Sequence, residues 1–379
     1  MPKKFPVNWF QKKLIDWYLE NFRPLPWRET KDPYRIWISE IMLQQTQVKT
    51  VYPYFLRFIE RFPSVGVLAN APAEQVMKCW EGLGYYRRAM NLHTTAQIIQ
   101  NKFHGYLPEN YQQLLDLPGI GPYTAGAIAS FAFNLPQPAI DGNVSRVISR
   151  IFLIGETHKI AATQRKIRKR ALEIISRDNA SVFNQAIMEL GATICTPQKA
   201  ACGSCPVFSC CKAFKFNKQE SIPNLGLKAN PKKIVMEMAL LAKQNKILLV
   251  KRSPRGLLAN MWALPSTEKI KGCSNGISIQ NELKKKYQIN ISKDPDLIGE
   301  ENHVFTHRIW RMKLYHFSSF SDGNFNSSKE KWVSISQLNQ YAIPTAFKKL
   351  FSLMDSNQKK IFLSHMRKGF TESIKDIKK

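Results

Sequence analysis

The sequence predicts a multidomain protein in which an all-α domain precedes an α+β domain. Apolar residues recur at helical spacing up to about residue 215, a polar stretch with Pro and Gly follows, and short apolar runs around turn residues come next. A length of 379 residues suits two or three domains. We therefore expect a helical domain over 1–215, a linker over 216–232, an α+β domain over 233–358 and a basic tail over 359–379.

The first domain is predicted to be a succession of helices. Apolar and aromatic residues from Trp9 to Phe22 recur at helical spacing until Pro24 and Pro26 break the pattern. Residues 36–61 indicate a long helical stretch interrupted at Pro53. Further helices are predicted at 73–80, 86–101, 109–116, 122–133, 143–153, 162–176 and 181–194.

The second domain is predicted to mix strands and helices. Two apolar runs, Ile234–Ala242 and Ile247–Val250, flank a turn-like Lys-Gln-Asn-Lys segment and indicate a β-hairpin. The remaining predicted elements are strands around 303–317 and 330–334 and helices near 278–287 and 344–354.

The charge balance favours a nucleic-acid partner. Lys and Arg total 56 against 28 Asp and Glu, a net charge of +28, and neutralising phosphates releases counterions that drive binding. A generally basic proteome without such a partner is the alternative explanation. No apolar run approaches the ~18 residues of a membrane span, and the N-terminus lacks the apolar core of a secretory signal. We expect a cytoplasmic protein with no membrane partner.

A cysteine cluster follows the last predicted helix of the first domain. Its spacing is Cys195-x6-Cys202-x2-Cys205-x5-Cys211, and four thiolates in a reducing compartment can hold zinc or a 4Fe–4S cluster. Zinc sites usually use two close pairs, whereas this loop has a single C-x2-C, which favours iron–sulfur. Cys210 is adjacent and competes as a fourth ligand.

A glycine hairpin, Leu117-Pro-Gly119-Ile-Gly121-Pro122, separates two predicted helices. The glycines permit a tight turn whose amides face outward, and Pro122 suits the first position of the next helix. Exposed amides at a helix N-terminus bind phosphate well. This helix–hairpin–helix pattern is typical of DNA binders without sequence specificity; an ordinary corner between helices is the alternative.

Two carboxylates are candidate catalytic groups. Glu40 lies in an apolar helical run, where burial would raise its pKa and make it a proton donor near neutrality. Pairing of a buried Glu40 with an arginine is the alternative. Asp141 precedes a helix, and its simplest role is an N-cap. Together they could serve as the acid and the electrostatic partner that flank a glycosidic bond.

Five motifs occur in the order seen in the endonuclease III-like glycosylases. The chain resembles most the A/G-specific adenine DNA glycosylases, the MutY family, along essentially its whole length. The motifs that carry this resemblance are Trp37–Val48, Gly82–Ala89, the glycine hairpin, Asp141–Val144 and the four-cysteine loop.

The resemblance implies roles for residues of the first domain. Glu40 matches the glutamate that protonates adenine and assists water attack, and Asp141 matches the aspartate that stabilises the oxocarbenium-like sugar or bonds to it covalently. Tyr123 and Asn143 match residues that support this pair. The remaining implied roles are the adenine pocket (Trp27, Arg28 and Glu189), the wedge into the duplex (Gln45 and Tyr85), the phosphate-binding hairpin (Gly119 and Gly121) and the 4Fe–4S ligands (Cys195, Cys202, Cys205 and Cys211).

Tyr123 separates the candidate activities. Relatives that also cut the backbone carry a lysine there as a Schiff-base nucleophile, and a phenol cannot form an imine. The resemblance thus implies a monofunctional, monomeric base excision repair enzyme, a hydrolase that removes adenine opposite 8-oxoguanine or guanine in double-stranded DNA. The alternatives are an endonuclease III-like pyrimidine glycosylase and lyase, and a non-catalytic iron–sulfur DNA-binding protein.

The second domain resembles the lesion-reading domain of the same family, which has the Nudix fold. The nearest start of a Nudix signature is Gly276-x5-Glu282, but the Arg-Glu and Glu-Glu pairs that bind magnesium are missing from the sequence. A Nudix hydrolase fused to a DNA-binding module is therefore disfavoured. Phe305, Thr306 and His307 resemble the family's F-S-H loop, which senses the oxidised guanine, with threonine supplying the hydroxyl.

Overall fold

The computed structural model describes residues 5–158, 160–224, 226, 230–244, 246–326, 328–351 and 353, so the tail predicted over 359–379 lies outside the described residues. The chain divides into two compact units. The helical unit comprises Met1–Ala71 and Met90–Leu227, and the sheet unit comprises Pro72–Ala89 and Lys228–Lys379. This is the predicted fold class, an all-α part and an α+β part. Among the described residues, no helix combines the length and apolar character needed to cross a membrane.

Helices dominate the first part of the chain, and most lie close to the predicted segments. In chain order they are α1 (Val7–Asn21), α2 (Pro33–Leu43), α3 (Val48–Arg61), α4 (Val65–Asn70), α5 (Ala73–Cys79), α6 (Arg87–Phe103), α7 (Tyr111–Leu115), α8 (Pro122–Phe133), α9 (Gly142–Phe152), α10 (Ala161–Ile174), α11 (Ala180–Thr193) and α12 (Lys212–Lys215).

The predicted break at Pro53 is wrong. Pro53 lies inside α3, and the chain breaks earlier, between Leu43 and Val48. Gln45 adopts a left-handed conformation there with φ 57°, which a continuous α-helix does not allow. A proline removes only one backbone donor, so α3 tolerates it, whereas the left-handed residue ends α2.

The core of the helical unit forms where α1, α9, α10 and α11 pack together around residues such as Phe10, Ile148 and Phe183. Next to it, α8 is buried on nearly all sides from Thr124 to Ser130. Small residues make this possible: a Cβ on Gly126 would stand 2.5 Å from a backbone oxygen of Pro138. A central buried helix fixes the position of the residues at its N-terminus.

A mixed sheet forms the centre of the sheet unit. Its strands are β1 (Lys232–Lys243), β2 (Lys246–Lys251), β3 (Trp262–Ala263), β4 (Ser266–Glu268), β5 (Asp296–Phe305), β6 (Arg308–Phe317) and β7 (Glu330–Ser334). The order is β3-β2-β1-β6-β5, with β1 parallel to β6; β4 pairs with β1 and β7 with β2. The predicted hairpin is present, with Ala242 opposite Ile247.

Each face of the sheet has its own core. Met238 and Leu240 of β1 contribute to one core, while Ala239 and Leu241 contribute to the other, as the period of two along a strand requires. Helix α14 (Thr345–Phe351) supplies residues to the first core and α13 (Ile277–Tyr287) to the second.

The strand expected over 303–317 is instead a hairpin. β5 starts at Asp296, the chain turns at Thr306 and His307, and β6 returns antiparallel from Arg308. β5 is only partly buried and lacks a clear apolar alternation, so its first half gives little signal in the sequence. The turn presents Thr306 and His307 as exposed residues.

Candidate active site

Glu40 is held by a well-formed helix. Asp32 caps α2 by accepting a hydrogen bond from the Tyr34 amide, and Pro33 occupies the first turn. The apolar residues around Glu40 are buried, so its carboxyl group is carried into the protein, where it is 4% exposed. The apolar run that favoured burial in the sequence therefore does bury this acid.

A cleft of about 1090 Å³ lies in front of Glu40. Its walls come from the segment after α1, the turn between α2 and α3, the start of α8, the start of α9, and α11. The predicted residues that line it are Trp27, Arg28, Glu40, Gln45, Gly121, Tyr123, Asp141, Asn143 and Glu189. Residues separated by up to 162 positions in the sequence thus line one cleft.

Glu40 is surrounded by groups that act on its pKa in opposite directions. Burial raises the pKa of Glu40 to about 7, the hydrogen bond from the Tyr123 hydroxyl lowers it, and the nearby Asp141 carboxylate raises it. Burial also raises the pKa of Tyr123 well above its ordinary value, so Tyr123 remains a neutral donor. Near neutrality, Glu40 can therefore hold a proton.

Asp141 has a different environment at the start of α9. Its Oδ1 accepts the Val144 amide at 2.7 Å, and its Oδ2 accepts from Nδ2 of Asn143 at 3.0 Å. Burial raises the pKa of Asp141, while these N–H donors lower it because they favour the charged form. Asp141 is therefore the helix N-cap, as the sequence predicted, and it also lines the cleft.

Arg146 supports this arrangement, although the sequence alone did not indicate it. Its Nη2 donates to Asn143 Oδ1 and to the Gly191 carbonyl, and its Nε donates to the Cys195 carbonyl, all at 2.8 Å. A Cβ on Gly191 would stand 2.7 Å from Asn143 Cβ, so α9 and α11 approach closely here. An arginine on the buried face of an amphipathic helix is the signal that could have identified it.

Glu189 forms the charged end of the cleft. Its side chain is 1% exposed and pairs with Arg23, through two hydrogen bonds of 2.5 and 3.0 Å, and with Arg28 at 2.6 Å. Burial opposes ionisation, but the hydrogen bonds from both guanidinium groups leave the pKa of Glu189 lowered. Trp27 lines the same cleft and is buried, with its ring edge-on to that of Phe55 at a centroid distance of 5.2 Å. Arg23 is a further residue that the sequence analysis missed.

Replacing Glu189 should destabilise the fold. Glu189→Gln leaves Arg28 without its carboxylate in a buried position, and loss of one partner of a buried pair costs about 3 kcal/mol. We take the low end because Arg23 is half-exposed. Urea denaturation should show the lower free energy of unfolding at neutral pH. The ion pairs of Glu189 stabilise the fold only while Glu189 is ionised, and its pKa is lowered. The difference in unfolding free energy between wild type and Glu189→Gln should therefore shrink as the pH falls through that pKa. An equal difference at low pH would contradict this account.

The glycine hairpin has the geometry its sequence implies. Gly119 has φ 80°, and a Cβ there would stand 2.8 Å from Asn91 Cβ, so glycine is required. Leu117 and Ile120 are buried beneath it, and the Thr95 hydroxyl fixes the Pro118 carbonyl at 2.6 Å. Gly121 precedes the first turn of α8 with open space around it, leaving room for a phosphate.

The cysteine loop lies against the end of the helical core. Arg150 donates to Cys195 Sγ at 3.2 Å. Burial raises the pKa of Cys205 to about 12, and Cys195, Cys211 and Cys202 raise it further. Cys195, Cys205 and Cys211 also pack against the core of the helical unit. Within the described ranges, no three His, Cys, Asp or Glu side chains form a ligand set for a single metal ion.

The predicted DNA-reading residues of the sheet unit lie together. Tyr85 has a left-handed backbone with φ 49°, and its hydroxyl is 2.7 Å from Thr306 Oγ1. Phe305 packs between His303 and Trp310, at ring distances of 4.5 and 4.9 Å. The turn of the β5–β6 hairpin therefore has a fixed aromatic base and exposed polar tips.

Comparison with known proteins identifies the family. An adenine DNA glycosylase of Buchnera aphidicola subsp. Baizongia pistaciae is 35% identical over 90% of this chain and 96% of its own length. The chain belongs to the adenine DNA glycosylase family. An adenine DNA glycosylase of Rattus norvegicus is 32% identical over 93% of this chain and 79% of its own. The predicted membership, and with it a base excision repair enzyme that hydrolyses N-glycosyl bonds, is confirmed.

Domain and structure comparisons agree with the fold of this adenine DNA glycosylase family member. Residues 38–176 match the HhH-GPD superfamily base excision DNA repair proteins, and residues 237–353 match the NUDIX domain. A solved thermostable thymine-DNA glycosylase is similar to 55% of this chain and 97% of its own, with 28% identity and a TM-score of 0.52. The predicted helix–hairpin–helix part and Nudix-like part are therefore confirmed.

Proposed function

We propose that this enzyme removes adenine mispaired with 8-oxoguanine or guanine in duplex DNA and leaves an abasic site. The observation that carries the proposal is the pair of carboxyl groups in one cleft. Glu40 is buried with a pKa near 7, and Asp141 is surrounded by N–H donors. Two carboxyl groups with different surroundings can act as acid and anion at the same pH.

The two groups divide the chemistry. Protonated Glu40 donates its proton to the adenine ring, which makes the base a better leaving group. As the bond to the base breaks, the sugar gains positive charge, and ionised Asp141 stabilises that charge. Glu40 then accepts a proton from the attacking water. Tyr123 and Asn143 hold the two carboxyl groups in place through their hydrogen bonds.

Glu189, at the charged end of the cleft, and Trp27 would recognise the adenine base. Glu189 is fixed by Arg28 and ionised, so its oxygens only accept hydrogen bonds and suit the amino group of adenine. Trp27 offers an apolar wall. The flipped-out base would therefore lie between an aromatic ring and a fixed acceptor, and flipping costs least for a mispaired base.

The remaining predicted residues would hold the duplex. Gly119 and Gly121 offer amides to a phosphate, and Gln45 and Tyr85, both with left-handed backbones, wedge into the duplex beside the oxidised guanine. Phe305, Thr306 and His307 face the guanine opposite the adenine, with the Thr306 hydroxyl able both to donate and to accept. Base stacking and hydrogen bonding together read the partner strand.

Duplexes that hold adenine opposite 8-oxoguanine, guanine, cytosine or thymine test this proposal. We expect base release from the first two only, and no efficient adduct on borohydride treatment, because Tyr123 replaces the amine that would form an imine. A duplex carrying an oxidised pyrimidine serves as the control for the pyrimidine glycosylase alternative. Release of that pyrimidine with a trapped adduct, and no adenine release, would contradict the proposal.

We further propose one 4Fe–4S cluster held by Cys195, Cys202, Cys205 and Cys211. The donor set fits in its chemistry, because four thiols lie within one loop of 17 residues and three of them, Cys195, Cys205 and Cys211, pack against the same core cluster. The Arg150 guanidinium contacts Cys195 Sγ and is a favourable partner for an anionic cluster. Cys210 points elsewhere: its thiol donates to the Val207 carbonyl at 3.2 Å. The cluster would fix the loop; zinc is the alternative occupant.

Cysteine variants distinguish the ligands from the bystander. Cys210→Ser should keep a brown visible absorbance and four irons per chain, because its sulfur is not a ligand. Cys205→Ser should lose both, together with stability of the loop. Iron and zinc analysis of the purified wild-type protein provides the reference. Retained iron in Cys205→Ser with loss in Cys210→Ser would reverse the assignment.

A further inference from the structure

Three charged side chains form a joint inside the sheet unit, here called the lysine–glutamate joint: Lys78, Glu81 and Lys348. The side chain of Glu81, just after α5, is 7% exposed. Its Oε2 accepts from Lys78 Nζ at 2.5 Å, and its Oε1 pairs with Lys348 Nζ on α14. Lys78 Nζ also donates to the Tyr341 carbonyl at 3.2 Å. The joint thus ties the 72–89 segment to the C-terminal part of the unit.

The chain between Glu81 and Tyr85 is a rigid turn. Gly82 and Gly84 have φ values of 97° and 77°, and Tyr85 follows with φ 49°. The Gly84 carbonyl accepts from Trp80 Nε1 at 3.1 Å and from Arg88 Nη2 at 3.2 Å. Because these hydrogen bonds hold the turn, a movement of Glu81 would also move Tyr85.

Thr306, the hydrogen-bond partner of Tyr85, is also connected to the lysine–glutamate joint, through Lys348. Lys348 lies on α14, which packs against β5, and β5 ends at the turn that holds Thr306. The Tyr85 hydroxyl and Thr306 Oγ1 are 2.7 Å apart. Glu81 therefore lies between two supports, one leading to Tyr85 and the other to Thr306.

We infer that Glu81 is a positioning residue that sets how well the enzyme distinguishes 8-oxoguanine from guanine opposite adenine. Through its ion pairs with Lys78 and Lys348, Glu81 keeps the hydroxyl groups of Tyr85 and Thr306 at a fixed position relative to each other. The two bases differ at one edge by an oxygen and a proton, so discriminating them requires polar groups held in place. This inference rests on the proposed function, and it assigns Glu81 no part in breaking the glycosidic bond.

Glu81→Gln and Lys348→Met in the full chain test the inference. Glu81→Gln removes the carboxylate that both lysines contact, and Lys348→Met removes one of the two cations that pair with Glu81; each change should loosen the joint. The dissociation constant for the guanine duplex divided by that for the 8-oxoguanine duplex, each measured opposite an uncleavable adenine analogue, should fall about tenfold, within the range that a misplacement of about 1 Å produces. The single-turnover rate for adenine opposite guanine at saturating enzyme should not change, since Glu40 and Asp141 are untouched.

Glu74→Gln provides the matched control. Glu74 and Lys251 form a second ion pair between the same two parts of the sheet unit at 2.9 Å, but Glu74 is 55% exposed. Exposed pairs contribute little, so this variant should keep the wild-type ratio. Hydrogen exchange should show faster exchange at residues 82–88 in Glu81→Gln and wild-type exchange in Glu74→Gln.

The possible outcomes distinguish a failure of the role inferred for Glu81 from a failure of the proposed adenine glycosylase function. An unchanged ratio in Glu81→Gln and Lys348→Met, with an active wild type, would overturn the role of Glu81 alone. An equal loss in Glu74→Gln would also overturn it. If Glu81→Gln does not fold, the ratio measured for Lys348→Met alone tests the role of Glu81. Absence of adenine release by the wild-type chain from both duplexes would instead overturn the proposed function, and the inference with it.

Discussion

Glu40→Gln should lower the rate of adenine release by about 10²–10⁴-fold, the range that general acid catalysis supplies. Glutamine has nearly the same shape and can still accept the hydrogen bond from Tyr123, but it has no proton to donate to the leaving base. Duplex binding should persist, because the hairpin glycines and the aromatic wall of Trp27 are unaffected. Single-turnover base release and a gel-shift assay together measure the two effects.

Tyr123→Phe is the informative companion to this variant. It removes the hydroxyl that lowers the pKa of Glu40 but leaves the acid in place, so it should retain far more activity than Glu40→Gln. Wild-type single-turnover rates in Glu40→Gln would remove Glu40 from its role. Loss of duplex binding in step with loss of rate would point to a structural effect instead.

Asp141→Asn should lower the rate by about 10²–10³-fold, as expected when a charge that stabilises the transition state is lost. Asparagine is also a good N-cap, and its side-chain oxygen can still accept the Val144 amide that Asp141 accepts now. The substitution therefore removes the negative charge from the cleft and leaves the start of α9 formed. The measurement is single-turnover base release at saturating enzyme.

Thermal unfolding supplies the control for Asp141→Asn. Because the cap is retained, its melting temperature should match that of the wild type, whereas Asp141→Ala, which loses the cap, should cost about 1 kcal/mol. Equal rates in Asp141→Asn and the wild type would exclude an electrostatic role for this carboxylate. A large loss of stability in Asp141→Asn would make the rate effect uninterpretable as chemistry.

Local features of the sequence predicted much of the helical part. The segment 122–133 matches α8 at both ends, because Pro122 starts the helix and Asn134 ends it in a left-handed conformation. The segment around Glu40 implied a buried acid because, apart from Ser39, the residues from Ile36 to Leu43 that flank it are apolar. By contrast, Pro53 was a misleading local signal, since the surrounding helix tolerates one missing donor.

The supporting residues could not be found in the same way. Arg23 pairs with Glu189, which lies 166 positions away, and nothing in its local pattern distinguishes it from a surface arginine. Arg146 lies on the buried face of α9, but its partners at Gly191 and Cys195 come from a distant segment. Glu81 resembles a solvated charge in sequence, yet Lys348 from a distant helix covers it. Long-range pairing of charges depends on tertiary packing, which periodicity and composition do not encode residue by residue.

The dependence of wild-type base release on pH tests the two-carboxyl mechanism most directly. Glu40, whose pKa is near 7, loses its proton as pH rises through that value, and Asp141, whose pKa is raised above its ordinary 3.8, loses its charge as pH falls. The rate constant kcat/KM should therefore form a bell with its maximum below pH 7 and a falling alkaline limb centred near 7. A rate that stays flat through neutrality, or rises into the alkaline range, would contradict the account.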